Sequence, residues 1–209
     1  MKTPRLVLFT DSTRFPDPEP LLRSSERAEP GSVLVIVRDR ELAAHERYEL
    51  GVNLGVRLHA AGQFLGVADR ADLGEILEAD ALHLGGQAVD APRVRAAFPE
   101  RWISRGYHVD DRLSDEELGA LNAVFVSPVV ESRKGRPALG IDGFLRLKRE
   151  LTQRAPRLSV FALGGIDAEN AADFSSHDVA SGVAVMAAGY QDDPGPLLRA
   201  LGIERAEDT

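Results

Sequence analysis

Residues 159–189, SVFALGGIDAENAADFSSHDVASGVAVMAAG, contain two short apolar runs, SVFAL and GVAVM, and each ends in small residues. The first meets Gly164-Gly165 and the second meets Ala187-Ala188. Neither run alternates strictly with polar residues, as expected of strands buried on both faces of a parallel sheet. Between them DAENAADF reads as a short helix that Asp167 can cap. The stretch is therefore a strand–helix–strand unit, and the fold depends on how often that unit recurs.

It recurs along the whole chain. Six more apolar runs precede it: LVLFT (6–10), VLVIV (33–37), FLGVA (64–68), ALHL (81–84), WIS (102–104) and AVFVS (123–127). The connectors have helical character. Residues 40–61 carry Leu42, His45, Leu50, Leu54 and Leu58 at mostly helical spacing. Ser114 and Glu117 fit a capping box, GFLRLKRELTQ (143–153) is amphipathic before Pro156, and DPGPLLRALG (193–202) reads as a closing helix. Eight strands alternating with helices predict a single-domain (β/α)8 TIM barrel over residues 1–209, near the lower length limit of that architecture. A doubly wound open sheet is the alternative, but TDSTRFPDPEP follows the first run where a dinucleotide fold would carry GxGxxG. ESRKGRPALG (131–140) reads as a mobile loop, and no linker divides the chain.

Bulk properties narrow the function. A net charge of −8 argues against nucleic acid or anionic membrane as partner, yet leaves a small phosphorylated ligand open. Cysteine is absent, which excludes disulfides, thiolate metal sites and a thiol nucleophile. The N-terminus, MKTPRLVLFTD, has no signal-peptide run and no segment approaches membrane-spanning length, so a cytoplasmic protein is expected. A homo-oligomer stays compatible with all of this.

In such a barrel, functional groups gather just after the strands. Gly164 and Gly165, with Gly182, Met186 and Ala187 on the last strand and its exit, form the expected phosphate cradle. Glycine lets backbone N–H groups approach an anion closely, although the same glycines also suit tight turns. Arg38 and Arg40 follow the second strand with alternation, so both can face the mouth; a solvated pair bridged to Asp39 and Glu41 is the competing reading. Ser132, Arg133 and Lys134 lie on the Gly/Pro-containing loop and can close over an anion. His108, a few residues past the fifth strand, is the candidate for proton transfer, because imidazole exchanges protons near neutral pH. His83 lies inside the fourth strand and reads as a hydrogen-bonded barrel side chain.

These strand-end residues resemble the thiamine-phosphate synthase/TenI superfamily over roughly residues 5–195. The carriers are VIVRDR (35–40), GVADRADL (66–73), ADALHLGG (79–86), SRGYH (104–108), VFVSPVVESRKG (124–135), FALGGIDAENA (161–171) and GVAVMAAG (182–189). The resemblance implies a (β/α)8 barrel. It also implies either Mg²⁺-dependent joining of an aminopyrimidine diphosphate to a thiazole phosphate, or a TenI-type reaction such as proton transfer on a carboxythiazole phosphate.

The chain departs from the synthase pattern repeatedly. QxRxK falls on Ile36, Arg38 and Arg40, and ND falls on Ala68 and Asp69. HLGQxD falls on His83 to Ala88, so the second carboxylate is lost and Asp90 comes two residues late, in a turn or at a helix start. SxH becomes Gly106 and His108, and the Pro-xxx-Thr-xx-Lys loop becomes Pro128, Ser132 and Lys134. The implied function is TenI-like proton transfer on a phosphorylated thiazole by His108. Arg38, Arg40, Ser132 and Lys134 bind the substrate in this reading, and no cofactor is required. The alternatives are a divergent synthase using Mg²⁺ at Asp69, or a non-catalytic phosphate-binding relative.

Overall fold

Each of the eight apolar runs becomes a parallel strand, and hydrogen bonding from each strand to the next closes the ring. The computed structural model describes residues 1–86 and 88–206. The strands are β1 (Leu6–Phe9), β2 (Val33–Val37), β3 (Phe64–Ala68), β4 (Ala81–Leu84), β5 (Trp102–Tyr107), β6 (Ala123–Val126), β7 (Ser159–Leu163) and β8 (Gly182–Val185). They pair in chain order, and β8 pairs with β1 through Leu6–Val183, Val7–Ala184 and Leu8–Val185. Closure removes the doubly wound alternative. The fold is an α/β (β/α)8 TIM barrel.

The two-residue period of a strand sorts the apolar side chains into two layers. Val7, Phe9, Leu34, Ile36, Trp102, Phe125 and Phe161 fill the barrel interior, with Ala68, Ala81, Ala123 and Ala184 as small partners. Leu6, Leu8, Val33, Val35, Val37 and their equivalents face outward into the layer under the helices. Small residues opposite large aromatics let a narrow barrel fill without voids.

The helices are α1 (Glu19–Arg27), α2 (Ala44–Ala60), α3 (Ala71–Ile76), α4 (Ala91–Ala97), α5 (Asp115–Ala120), α6 (Gly140–Arg154) and α7 (Gly195–Leu201). The Ser114–Glu117 capping box forms at the start of α5. Asp90 caps α4 by accepting the Arg93 backbone N–H at 3.0 Å, so it belongs to a helix start.

Two expectations need correction, and a third segment takes a definite shape. DAENAADF is not an α-helix: Asp167 accepts the Glu169 and Asn170 N–H groups, and only a 3₁₀ turn, Ala171–Phe174, follows. Short polar side chains here compete for the N–H groups that a helix needs. β5 extends beyond WIS, because backbone pairing carries Arg105 and Gly106 into register with Val124 and Phe125 whatever their polarity. The 131–140 segment is a defined hairpin: Arg133 and Arg136 exchange both backbone hydrogen bonds at 3.0 Å. Lys134 and Gly135 sit between them at φ 52° and 77°, as a type I′ turn requires.

Candidate functional site

At the carboxyl ends of the strands lies a cavity of about 950 Å³. One wall is backbone. Gly164 and Gly165 adopt φ of 101° and 77°, and Met186, Ala187 and Ala188 line the cavity beside them. The glycines also hold the next loop: Val130 N–H donates to the Gly164 carbonyl at 2.9 Å. A Cβ on Gly165 would lie 2.5 Å from Glu131 Cγ and 2.6 Å from its backbone nitrogen. The cradle and the tight turn are therefore one feature. Gly165→Ala is expected to cost about 3 kcal/mol, from the positive φ and the collision together, seen as a lower denaturant midpoint.

The rim is cationic. Arg14, Arg38, Arg133, Lys134 and Arg136 all line the cavity. The hairpin delivers the last three, and the Ser132 hydroxyl fastens its base by accepting the Ala138 N–H at 3.1 Å. Arg38 makes no ion pair among the described residues. His108 also lines the cavity, with Nδ1 3.2 Å from Asp111 Oδ2. That carboxylate accepts the His108 backbone N–H at 2.8 Å as well, so one short turn orients the ring. Asp111 was not among the sequence candidates; the signal was a carboxylate three residues after the histidine.

Other candidates fall elsewhere. Gly182 opens β8 at the far end of the strand, so it cannot join the phosphate cradle. A Cβ there would lie 2.6 Å from both the Arg5 carbonyl oxygen and the Phe161 ring, so close packing is what demands glycine. Arg40 does not line the cavity; its Nη2 lies 2.5 Å from Asp69 Oδ2 and its Nε 2.8 Å away. Asp69, at φ 61°, also accepts the Gly85 N–H at 2.6 Å. Asp39 bridges to neither arginine. It is buried, accepting from the Thr10 hydroxyl and the Ser12 N–H. Burial pushes its carboxyl up, but these hydrogen bonds together hold it below the usual range.

His83 forms part of the cavity floor. Its Nδ1 is 3.0 Å from Ser104 Oγ, and its ring stacks on Phe125 with centroids 5.0 Å apart and an interplanar angle of 15°. Burial pushes the imidazole down to about 4; nearby Asp69 opposes this, while Arg38, Arg40 and Arg105 add to it. His83 is a neutral wall of the site at ordinary pH.

For Mg²⁺ the two carboxylate positions of the family pattern retain one carboxylate here, Asp69. Among the described residues, no group of three His, Cys, Asp or Glu side chains is placed to hold a metal ion. Asp69 already carries an arginine and an N–H group, and Ala88 stands where the family pattern has its second carboxylate. Gln87, which matches the pattern's glutamine, lies outside the described residues.

Fold and site together define a (β/α)8 barrel with a glycine-walled, cation-rimmed mouth. The chain belongs to the TMP-TENI family, described as thiamine monophosphate synthase, whose model matches residues 6–188. It is 30% identical over 196 residues to a thiamine-phosphate synthase of Desulfitobacterium hafniense, covering 90% of this chain and 91% of that protein. It is 29% identical to the thiamine-phosphate synthase of Mycolicibacterium vanbaalenii, covering 94% and 91%. Among solved structures, thiamine phosphate pyrophosphorylase from Pyrococcus furiosus superposes with a TM-score of 0.75 at 21% identity, covering 95% of each chain. That last likeness speaks for the fold alone. No helix among the described residues is long and apolar enough to cross a membrane.

Proposed function

We propose that this protein binds a phosphorylated thiazole, or a close heterocyclic analogue, and moves a proton on it within thiamine metabolism, without a metal ion. One observation carries the reading: Arg40 and Gly85 occupy the Asp69 carboxylate, in a site that has Ala88 as its second family position. The diphosphate half of the family site thus holds an internal ion pair. The phosphate half keeps its glycine wall at Gly164 and Gly165, continued by Met186 and Ala187. Ser132 and Lys134 on the hairpin flank the bound anion, and Arg38 faces a substrate carboxylate, where its planar fork suits two parallel hydrogen bonds. His108, oriented by Asp111, exchanges the proton. A small dianion suits this site, whereas an acidic chain of net charge −8 repels nucleic acid and anionic membrane.

The synthase reaction is the second reading, favoured because the family description and the relatives at about 30% identity carry that name. It needs the Asp69 carboxylate freed from Arg40. The test supplies purified protein with aminopyrimidine diphosphate, thiazole phosphate and Mg²⁺, and follows pyrophosphate. No release above background is expected, alongside calorimetric binding of thiazole phosphate that chelator leaves unchanged. Sustained pyrophosphate release would establish the second reading instead.

A further inference from the structure

Ser104 belongs to no part of the family pattern, whose serine position is Gly106 here. The two-residue period that turns Trp102 into the barrel turns Ser104 inward as well, directly across from His83 in the β4–β5 register. Ser104 is fully buried, and its hydroxyl has a single partner among the described residues, His83 Nδ1 at 3.0 Å. Two arrangements of protons share that distance. A proton on Nδ1 would donate to Ser104 Oγ and leave the hydroxyl proton of a buried serine with no acceptor. With Nδ1 bare, the hydroxyl donates to it and no proton is stranded inside the wall. An unmade buried hydrogen bond is the costly outcome, so Ser104 selects the second arrangement. The imidazole proton then resides on Nε2.

Nε2 has no protein partner among the described residues, and it is not among the polar atoms sealed away without one. The ring lines the cavity, so this N–H opens toward a ligand. Its direction is fixed: the ring stacks on Phe125 and meets Phe9 edge-on, with centroids 5.2 Å apart at 67°. Burial keeps the ring from taking a second proton at ordinary pH. A neutral imidazole with one fixed donor reads a lone pair, and it gains nothing from a C–H or a second N–H. We propose that His83, set by Ser104, is a specificity-determining residue whose Nε2–H donates to a lone pair on the ligand's ring. This rests on the proposed function, because on a thiazole the strong acceptor within the ring is the nitrogen. The ligand class is then a phosphorylated heterocycle with an unsubstituted, unprotonated ring nitrogen. His83 touches the ring, Ser104 acts through His83, and moving the proton stays with His108.

Long-range nitrogen–proton correlation NMR on the labelled full chain tests the tautomer, and calorimetry tests what it reads. The wild-type spectrum is expected to place the His83 proton on Nε2, and Ser104→Ala to show both tautomers. The ligand probes are thiazole phosphate and its thiophene counterpart, in which C–H replaces the ring nitrogen at nearly the same shape. The wild type is expected to bind thiazole phosphate about tenfold more tightly than the thiophene. Ser104→Ala should lose part of that preference. His83→Phe, which keeps an aromatic ring but has no donor, should lose nearly all of it. A wild-type proton on Nδ1, equal binding of the two probes, or a His83→Phe variant that keeps the preference overturns the inference and leaves the proposed function standing. A wild type that binds neither probe overturns both. The spectrum and the wild-type preference need no variant, so a His83→Phe chain that fails to fold does not shield the inference.

Discussion

His108→Ala is expected to lower proton-transfer turnover about a thousandfold, the scale of a positioned general acid–base group. Affinity for thiazole phosphate should hardly change, because the glycine wall and the hairpin hold the phosphate without His108. Turnover would be followed by proton NMR, as exchange of the ring hydrogen in deuterated buffer. An unchanged rate would remove His108 from the chemistry. Asp111→Asn supplies the second measurement. It keeps the shape of the turn that accepts the His108 N–H but withdraws the charge beside Nδ1. A smaller loss in turnover is expected, with little change in affinity, as befits a residue that positions another.

Acidification is expected to cost this protein about 3 kcal/mol of stability between pH 6.5 and 4 through His83 alone. At neutral pH the imidazole is uncharged in both states and makes no difference. Below its ordinary value near 6.5, the unfolded chain takes up a proton there. The native ring resists until about 4, because it is buried between Phe9, Phe125 and Ser104. Stability therefore falls through that window and levels once both states are protonated. Carboxylates that hydrogen bonds hold low, such as Asp39, add their own loss only near the bottom of that window, where the unfolded chain's carboxylates begin to take up protons. Urea midpoints from pH 7 to pH 4 would measure the effect, and His83→Phe should flatten it. A wild type whose midpoint stays level would show that the ring is hydrated.

Period and punctuation made the fold legible. Four of the eight strands, β2, β3, β4 and β7, match an apolar run at both ends, and the runs at β1, β6 and β8 each overrun the strand by one residue. β5 was under-read because Arg105 and Gly106 carry no apolar signal, although backbone pairing places them in the sheet. The site was legible only as a set of strand ends. Glycines at 164 and 165 mark a turn and a mouth, but Gly182 looked equivalent while serving a packing contact at the other end of its strand. Nothing in one dimension tells that Arg40 turns to Asp69 while Arg38 stays at the cavity. The Asp111 support and the stack of Phe15 on Tyr190 were hidden for the same reason. Such partners are set by how loops fold back, and Phe15 and Tyr190 come from opposite ends of the chain.

Positions 106 and 36 answer differently to the question of whether the synthase pattern could be built into this chain. A Cβ on Gly106 meets nothing within 4 Å, so a serine hydroxyl could be placed there in a single step. Ile36 is wholly buried in the barrel interior, and even a Cβ on Gly66 would lie 3.0 Å from its Cγ1. A glutamine at 36 would bring an amide into that apolar packing, and its neighbours would have to change first. One departure is a door left open, the other a ratchet. A single substitution fits the first; the second calls for several in concert.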